Sequence, residues 1–244
     1  MIDIHCHILP GIDDGAYDLK TALKMARIAV KDGVQTVVAT PHCYDGVYNC
    51  QRYDIGGLCE EFNVALHEQG VELTVLPGAE VRLTPDLIKL VERGEVVTFG
   101  GQDRYLLLEL PEIFIPEAVF RVIKHLQLSN TRCIVAHPER NTFVLNQNNI
   151  IDGLIFAGAE LQVTAGSLTG MFGKEVKLLA QQILKTQQGR CYLASDGHCV
   201  AKRKPILQKA LKLASRLVGV EAATDMVSID LSRKDRLSVI SCQH

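Results

Sequence analysis

An α/β fold, a closed or nearly closed barrel of seven strand–helix units, is predicted by three observations. Seven short apolar runs of strand character recur along the 244 residues. Helical patterns fill the gaps between them, and strand–helix alternation implies a parallel sheet with right-handed crossovers. Polar residues suited to metal binding stand at the ends of six runs, where a parallel barrel opens its functional face.

The runs are "IDIHCH" (2–7), "QTVVATPH" (35–42), "ELTVLPGAE" (72–80), "RYLLLEL" (104–110), "RCIVAHPE" (132–139), "AELQVTA" (159–165) and "RCYLASDGH" (190–198). The first helix is read in "DLKTALKMARIAVKDG", with Asp18 as N-cap, Gly33 as stop and Leu19, Ala22, Leu23, Ala26 and Ala29 on its apolar face. A second sits in "TPDLIKLVERG", with Thr84 as cap, Pro85 at the first helical position and Gly94 at the end. Further helices fit 54–69, 116–128, 147–157, 171–188 and 203–218. No linker or low-complexity tract divides the chain, so residues 1–244 read as one domain, with the tail after about residue 220 unplaced.

Composition narrows the function classes. An apolar fraction of 47% suits a globular protein with a large core. A net charge of −2, with basic clusters only at "AKRK" and "RKDR", argues against nucleic acid as partner and against an anionic membrane. No stretch approaches the roughly 18 apolar residues of a membrane span, and Asp3 and His5 interrupt any leader-like run, so a cytoplasmic protein is expected. The eight cysteines form no C-x-x-C pair and are expected to be scattered thiols rather than a disulfide framework or zinc ribbon.

The chemistry lies in where the polar residues fall. His5 and His7 end the first run, His42 the second, Glu80 the third, Glu109 the fourth, His137 the fifth, and Asp196 with His198 the seventh. Residues two apart on a strand point the same way, so His5/His7 and Asp196/His198 are natural chelating pairs. Asp14, with Asp13 as competitor, adds a carboxylate from the loop after the first strand. Five imidazoles and four carboxylates at one mouth would repel and be costly to desolvate unless divalent cations held them together. Mixed His/carboxylate ligation without thiolates suits manganese, iron or zinc. His67, His125 and His244 fall outside the pattern and are assigned ordinary surface or core roles.

The stretches "MIDIHCHILPGIDDGA", "VVATPHCYDGVY", "LPGAEV", "LLLELP", "VAHPERN" and "YLASDGH" together resemble the polymerase-and-histidinol-phosphatase (PHP) superfamily. Within it they are most similar to the manganese-dependent protein-tyrosine phosphatases of bacterial capsule and exopolysaccharide systems. The resemblance runs from residue 1 to about 205, departing at Cys6, where serine or threonine is usual, and in the tail. It implies a distorted TIM-like (β/α)7 barrel, the PHP fold, holding three divalent ions. By the family pattern the first ion takes His5, His7, Glu80 and Asp196. The second shares Glu80 and adds Glu109 and His137; the third takes Asp14, His42 and His198. Arg140 and Arg203 match the family's phosphate-binding arginines.

The implied reaction is hydrolysis of protein phosphotyrosine by a metal-bridging hydroxide, its pKa lowered towards about 7. The candidate catalytic residues are His42, His198, Arg140 and Arg203. No C-x5-R signature is present, so no cysteine nucleophile is expected. Tyr44, Tyr48 and Tyr53 follow His42, and Tyr48 is the candidate to grip the substrate ring. The implied partner is the tyrosine-rich tail of a membrane-anchored bacterial autokinase, without insertion of this chain into the membrane; oligomeric state is left open. The competing readings are a phosphatase of small metabolites such as histidinol phosphate, and a non-catalytic binder of a phosphorylated tail.

Overall fold

Seven parallel strand runs are arranged around a common axis, each followed by helical chain, in a computed structural model that describes residues 1–48, 50, 53–99, 105–112, 114–147 and 149–229. The strands are β1 (Ile2–Cys6), β2 (Thr36–Ala39), β3 (His42–Cys43), β4 (Thr74–Pro77), β5 (Glu80–Arg82), β6 (Tyr105–Glu109), β7 (Arg132–Ala136), β8 (Glu160–Thr164) and β9 (Cys191–Ala194). The helices are α1 (Leu19–Lys31), α2 (Ile55–Glu68), α3 (Leu87–Glu92), α4 (Ala118–Leu128), α5 (Thr142–Asn146), α6 (Asn149–Phe156), α7 (Ala165–Thr169), α8 (Lys174–Thr186), α9 (Gln208–Val218) and α10 (Val220–Asp225).

Seven expected runs become nine strands because two of them break. The second run splits into β2 and β3 at Thr40–Pro41, where proline has no N–H to give a ladder. The third splits into β4 and β5 at Gly78, whose added Cβ would fall 2.6 Å from Val38 Cγ1. The strands therefore group as β1-β2-β4 and β3-β5-β6-β7-β8-β9. All pairings are parallel. The ring returns to its start through a Cys6–Gly197 bridge, with Asp196 N donating to His5 O at 2.8 Å and His7 N to Gly197 O at 2.9 Å. These breaks and the bridge give the barrel its distorted outline.

The helices follow the expected pattern with local corrections. Asp18 caps α1, accepting from Thr21 N at 2.7 Å, and Asp54 caps α2, accepting from Gly57 N at 3.0 Å. On α1, Leu19 is 46% exposed; Met25, with Ala22, Ala26 and Ala29, makes the buried face. α3 begins two residues later than expected, after Asp86, because Thr84 O accepts from Leu87 N in a preceding turn. The 147–157 and 171–188 helices are preceded by the short helices α5 and α7. Asp32, just after α1, ties α9 in place by accepting from Leu207 N and from Gln208 N at 2.8 Å. The start of the tail forms α10, and Val227 O accepts from Ile2 N at 2.8 Å beside β1; residues 230–244, like Arg104, lie outside the described residues.

Strand alternation separates two cores. Outward residues such as Val37, Leu106, Leu108, Val135, Leu161, Val163 and Leu193 join the helices in one large apolar cluster. Inward residues Ile4, Val38, Tyr105, Leu107, Ile134, Ala136 and Ala194, with Phe99, form a smaller plug inside the ring. The site stands on that plug, since Glu109 and Asp196 lie two residues beyond Leu107 and Ala194. Leu107→Ala is expected to cost about 2–5 kcal/mol, as for a fully buried leucine leaving a cavity, and to appear as a lowered urea midpoint with unchanged slope.

Candidate active site

All nine residues expected as ligands meet at the C-terminal mouth. Their donor atoms fall into four overlapping groups, within each of which every atom lies within 4.8 Å of the others. The groups are His5/His7/Asp196, His5/Glu80/His137, His42/Glu80/Glu109 and His7/Asp14/His42/His198. Glu80 is central: its Oε2 lies 3.2 Å from His5 Nε2, 3.3 Å from His7 Nε2 and 3.1 Å from His42 Nδ1, and its Oε1 lies 2.7 Å from His137 Nε2. Asp196 Oδ1 faces the same histidines from the other side, 3.5 Å from His5 Nε2 and 3.6 Å from His7 Nε2. Asp14 Oδ1 sits 3.5 Å from His42 Nε2 and 3.3 Å from His198 Nε2.

The competition between the two aspartates resolves by geometry. Asp14 faces the cavity, whereas Asp13 turns inward, accepting from His7 Nδ1 at 2.6 Å and from Gly15 N at 2.9 Å. The loop can pass this closely because residue 15 is glycine, whose added Cβ would fall 2.1 Å from His7 O. At two strand ends the chain adopts left-handed backbone without glycine: His137 has φ of 31° and Asp196 φ of 50°. Such conformations cost energy and persist where the surroundings enforce them.

The cluster fits cations. Glu80 Oε2, Asp196 Oδ1, His42 Nδ1 and His198 Nε2 are buried and make no hydrogen bond among the described residues. Unsatisfied buried acceptors of this kind are costly, and these four belong to four of the expected ligands. The charges bear the same stamp. Burial opposes ionisation of Glu80, but His5 and His137 outweigh it and hold the carboxyl well below its ordinary range. Burial likewise opposes ionisation of Asp196, and His5 and Arg203 hold its carboxyl low. Burial disfavours a charged His7 ring, yet Asp13 and Glu80 raise its pKa to about 10. His198 is pushed down to about 4, first by burial and then by the neighbouring His7, leaving its ring neutral.

Arg140 and Arg203 converge on the opposite oxygen of Asp196. Both guanidinium groups donate to Oδ2, Arg203 at 2.5 Å, while Oδ1 stays with the histidines. Arg140 Cζ also lies 4.6 Å from the centre of the Phe172 ring, which braces it. The cavity these groups line is about 230 Å³ and is also walled by Arg82, Asp45 and Glu112, which the strand-end reasoning missed. Arg82 was accessible to that reasoning, being two residues past Glu80 on one strand; it donates to Glu109 Oε2 at 2.8 Å. Gln162, also missed, lies buried below the cluster.

Of the three loop tyrosines, Tyr48 meets the site, its ring stacked on His42 at 5.9 Å between centres and 12° between planes. Tyr44 donates to Glu95 O at 3.0 Å and Tyr53 is exposed. The expectation of thiols throughout is corrected here: the loop after His42 turns back so that Cys43 and Cys50, with Cα atoms 5.2 Å apart, form a disulfide. Cys6, Cys59, Cys133 and Cys191 are buried free thiols and Cys199 a half-buried one, while Cys242 lies outside the described residues. His67 is exposed on α2, and His125 faces Glu92 at 3.2 Å on the surface.

Fold and site together define a TIM-barrel-like protein with a His/carboxylate cluster suited to divalent metals. The chain belongs to the capsular polysaccharide synthesis CpsB/CapC family, which it matches over residues 1–233. It is 34% identical to the tyrosine-protein phosphatase YwqE of Bacillus subtilis, over 91% of this chain and 86% of that one. It is 27% identical to the tyrosine-protein phosphatase CpsB of Streptococcus pneumoniae, over 96% and 97% of the two chains. The solved YwqE/CpsB structures, described as unique metal-dependent tyrosine phosphatases, include a chain that superposes with a TM-score of 0.87 at 33% identity, covering 93% of this chain and 91% of that one. An amidohydrolase from Mycoplasma synoviae shares the fold alone, with a TM-score of 0.57 at 14% identity.

Gly15→Ala is expected to lower stability by about 1–3 kcal/mol in urea denaturation, because the new methyl group must displace the His7 backbone.

Proposed function

We propose that this chain is a metal-dependent protein-tyrosine phosphatase. The observation that carries the reading is the pairing of Arg140 and Arg203 on one oxygen of Asp196, directly beside a His/carboxylate cluster with unsatisfied donor atoms. A phosphate dianion matches two guanidinium groups in charge and in geometry. Membership of the CpsB/CapC family and the likeness to YwqE and CpsB support the aryl-phosphate reading over the histidinol-phosphate alternative.

In this reading the ligands divide by the family pattern. His5, His7, Glu80 and Asp196 would hold the first ion, Glu80, Glu109 and His137 the second, and Asp14, His42 and His198 the third, with manganese preferred over iron or zinc. The observed donor groups overlap this division without repeating it, placing Glu109 with His42 and Glu80, and His137 with His5 and Glu80. Divalent ions bound there supply charge neutralisation and an acidified water as nucleophile. The chain's own residues bind and orient. Arg140, braced by Phe172, and Arg203 take the phosphate oxygens, and Tyr48 flanks the substrate ring above His42. No thiol is required: Cys6 is fully buried with its pKa pushed well up by burial, and Cys43 is in the disulfide.

The physiological substrate is a phosphotyrosyl protein, read here as the tyrosine-rich tail of a membrane-anchored autokinase in polysaccharide export. No described helix is long and apolar enough to cross a membrane. The reading places the reaction in the cytoplasm, on a partner that carries the anchor.

Rates on a phosphotyrosyl peptide, a phosphoseryl peptide and histidinol phosphate, measured with added manganese, test the reading; it predicts fastest turnover of the first. His42→Ala and Glu80→Ala should abolish turnover of p-nitrophenyl phosphate while circular dichroism is retained. Full activity in either variant, or after exhaustive chelation, would refute the mechanism. Tyr48→Ala should raise KM for the phosphotyrosyl peptide with little change in kcat. A further outcome concerns pH. With its pKa at about 10, His7 is protonated at neutral pH before loading, and its attraction to Asp13 is fully present below about 6.5 and lost as pH rises through 10. Cation binding must displace that proton, so manganese affinity should rise by about tenfold per pH unit between pH 6 and 8, with proton release seen in weakly buffered titrations.

A further inference from the structure

Gln162 lies on the inward face of β8 and is fully buried beneath the cluster. Its Oε1 is 2.9 Å from His5 Nδ1 and 3.2 Å from the backbone N of His137. A backbone N–H can only donate, so the amide atom facing it must be the oxygen. With that oxygen fixed, His5 Nδ1 must carry a proton to approach it. The lone pair of the neutral ring is then left on Nε2, the atom that faces Glu80 and Asp196.

Asp13 repeats the pattern on the other histidine of the pair. Its Oδ2 accepts from His7 Nδ1 at 2.6 Å and from the backbone N–H of His42 at 3.1 Å. In each case a single oxygen turns the ring of one H-x-H histidine and also holds the backbone at a second histidine of the cluster. His137, which Gln162 holds, is one of the left-handed residues at the mouth.

We infer that Gln162 is a positioning residue for cation binding: it sets the tautomer of His5 and locks His5 and His137 together, so that their Nε2 atoms face Glu80 as a unit. The inference rests on the reading of this cluster as a cation site and is independent of the substrate. A side chain that merely filled space would do neither. The third hydrogen bond of Gln162, from Nε2 to Thr164 Oγ1 at 3.4 Å, involves neither histidine and serves as an internal control.

Manganese binding to the full chain, by equilibrium dialysis with elemental analysis, tests this directly. Gln162→Met keeps the length and removes the oxygen; its affinity should fall by about 10- to 100-fold, the usual effect of losing a residue that orients a metal ligand. Gln162→Glu keeps an acceptor for both donors and should bind within a few-fold of the parent, a rescue that a packing role does not predict. Thr164→Val should bind like the parent. In turnover of p-nitrophenyl phosphate, Gln162→Met should recover most of its kcat at saturating manganese with KM unchanged. Parent-like binding by folded Gln162→Met, or equal losses in the Met and Glu variants, would overturn the inference. Should the Met variant fail to fold, nitrogen-15 spectra of the zinc-loaded parent decide: His5 must be protonated on Nδ1, and protonation on Nε2 would overturn it. Binding without turnover in the parent would refute the phosphatase reading and leave this inference standing.

Discussion

Glu80 and Asp196 are carboxylates with almost no access to water, and the mouth of the barrel is organised around keeping them ionised there. Removing such groups from water costs several kcal/mol each unless opposite charge and hydrogen bonds surround them. The protein supplies imidazoles from four directions and two guanidinium groups on one oxygen, yet Glu80 Oε2 and Asp196 Oδ1 still lack hydrogen bonds among the described residues. What the side chains leave incomplete is a set of converging donor groups suited to divalent cations. The left-handed backbone at His137 and Asp196 belongs to the same constraint, because it turns the chain at the strand ends where those residues reach into the cluster.

The rest of the fold makes such a concentration of polar groups tolerable. The apolar plug inside the ring gives the site a rigid floor, and the larger outer cluster of strand and helix residues carries the burial that folding needs. A second ionic layer closes the opposite end, where Arg132 lies over the Tyr105 ring at 4.7 Å and Tyr192 donates to Glu160 at 2.7 Å. Polar groups in this barrel thus occupy its two ends, with hydrocarbon between them.

Much of this was legible in the sequence because strand ends are both short and regular. Each of six apolar runs ended on a His, Asp or Glu, and parallel topology alone brings such ends to one rim. The breaks at Thr40–Pro41 and Gly78 were harder to read, because an apolar run looks the same whether or not its ladder is interrupted. Leu19 fits the apolar pattern of α1 yet is exposed, because the first turn of that helix buries Thr21 and Ala22 instead. Gln162 escaped notice because the sixth run carried no charged end. Its inward alternation of Glu160, Gln162 and Thr164 was the available signal. The Cys43–Cys50 bridge depended on how a loop turns back, which spacing alone does not fix.

Asp196 divides its two oxygens between different tenants, with histidines on Oδ1 and arginines on Oδ2. An oxyanion that draws Arg140 and Arg203 towards itself takes positive charge away from that carboxylate, which then holds a cation on its other oxygen more strongly. Thermodynamic reciprocity requires the converse: a filled cation site loosens the carboxylate's claim on both arginines and readies them for an anion. If both guests bind as proposed, one aspartate couples them, so that each raises the occupancy of the other.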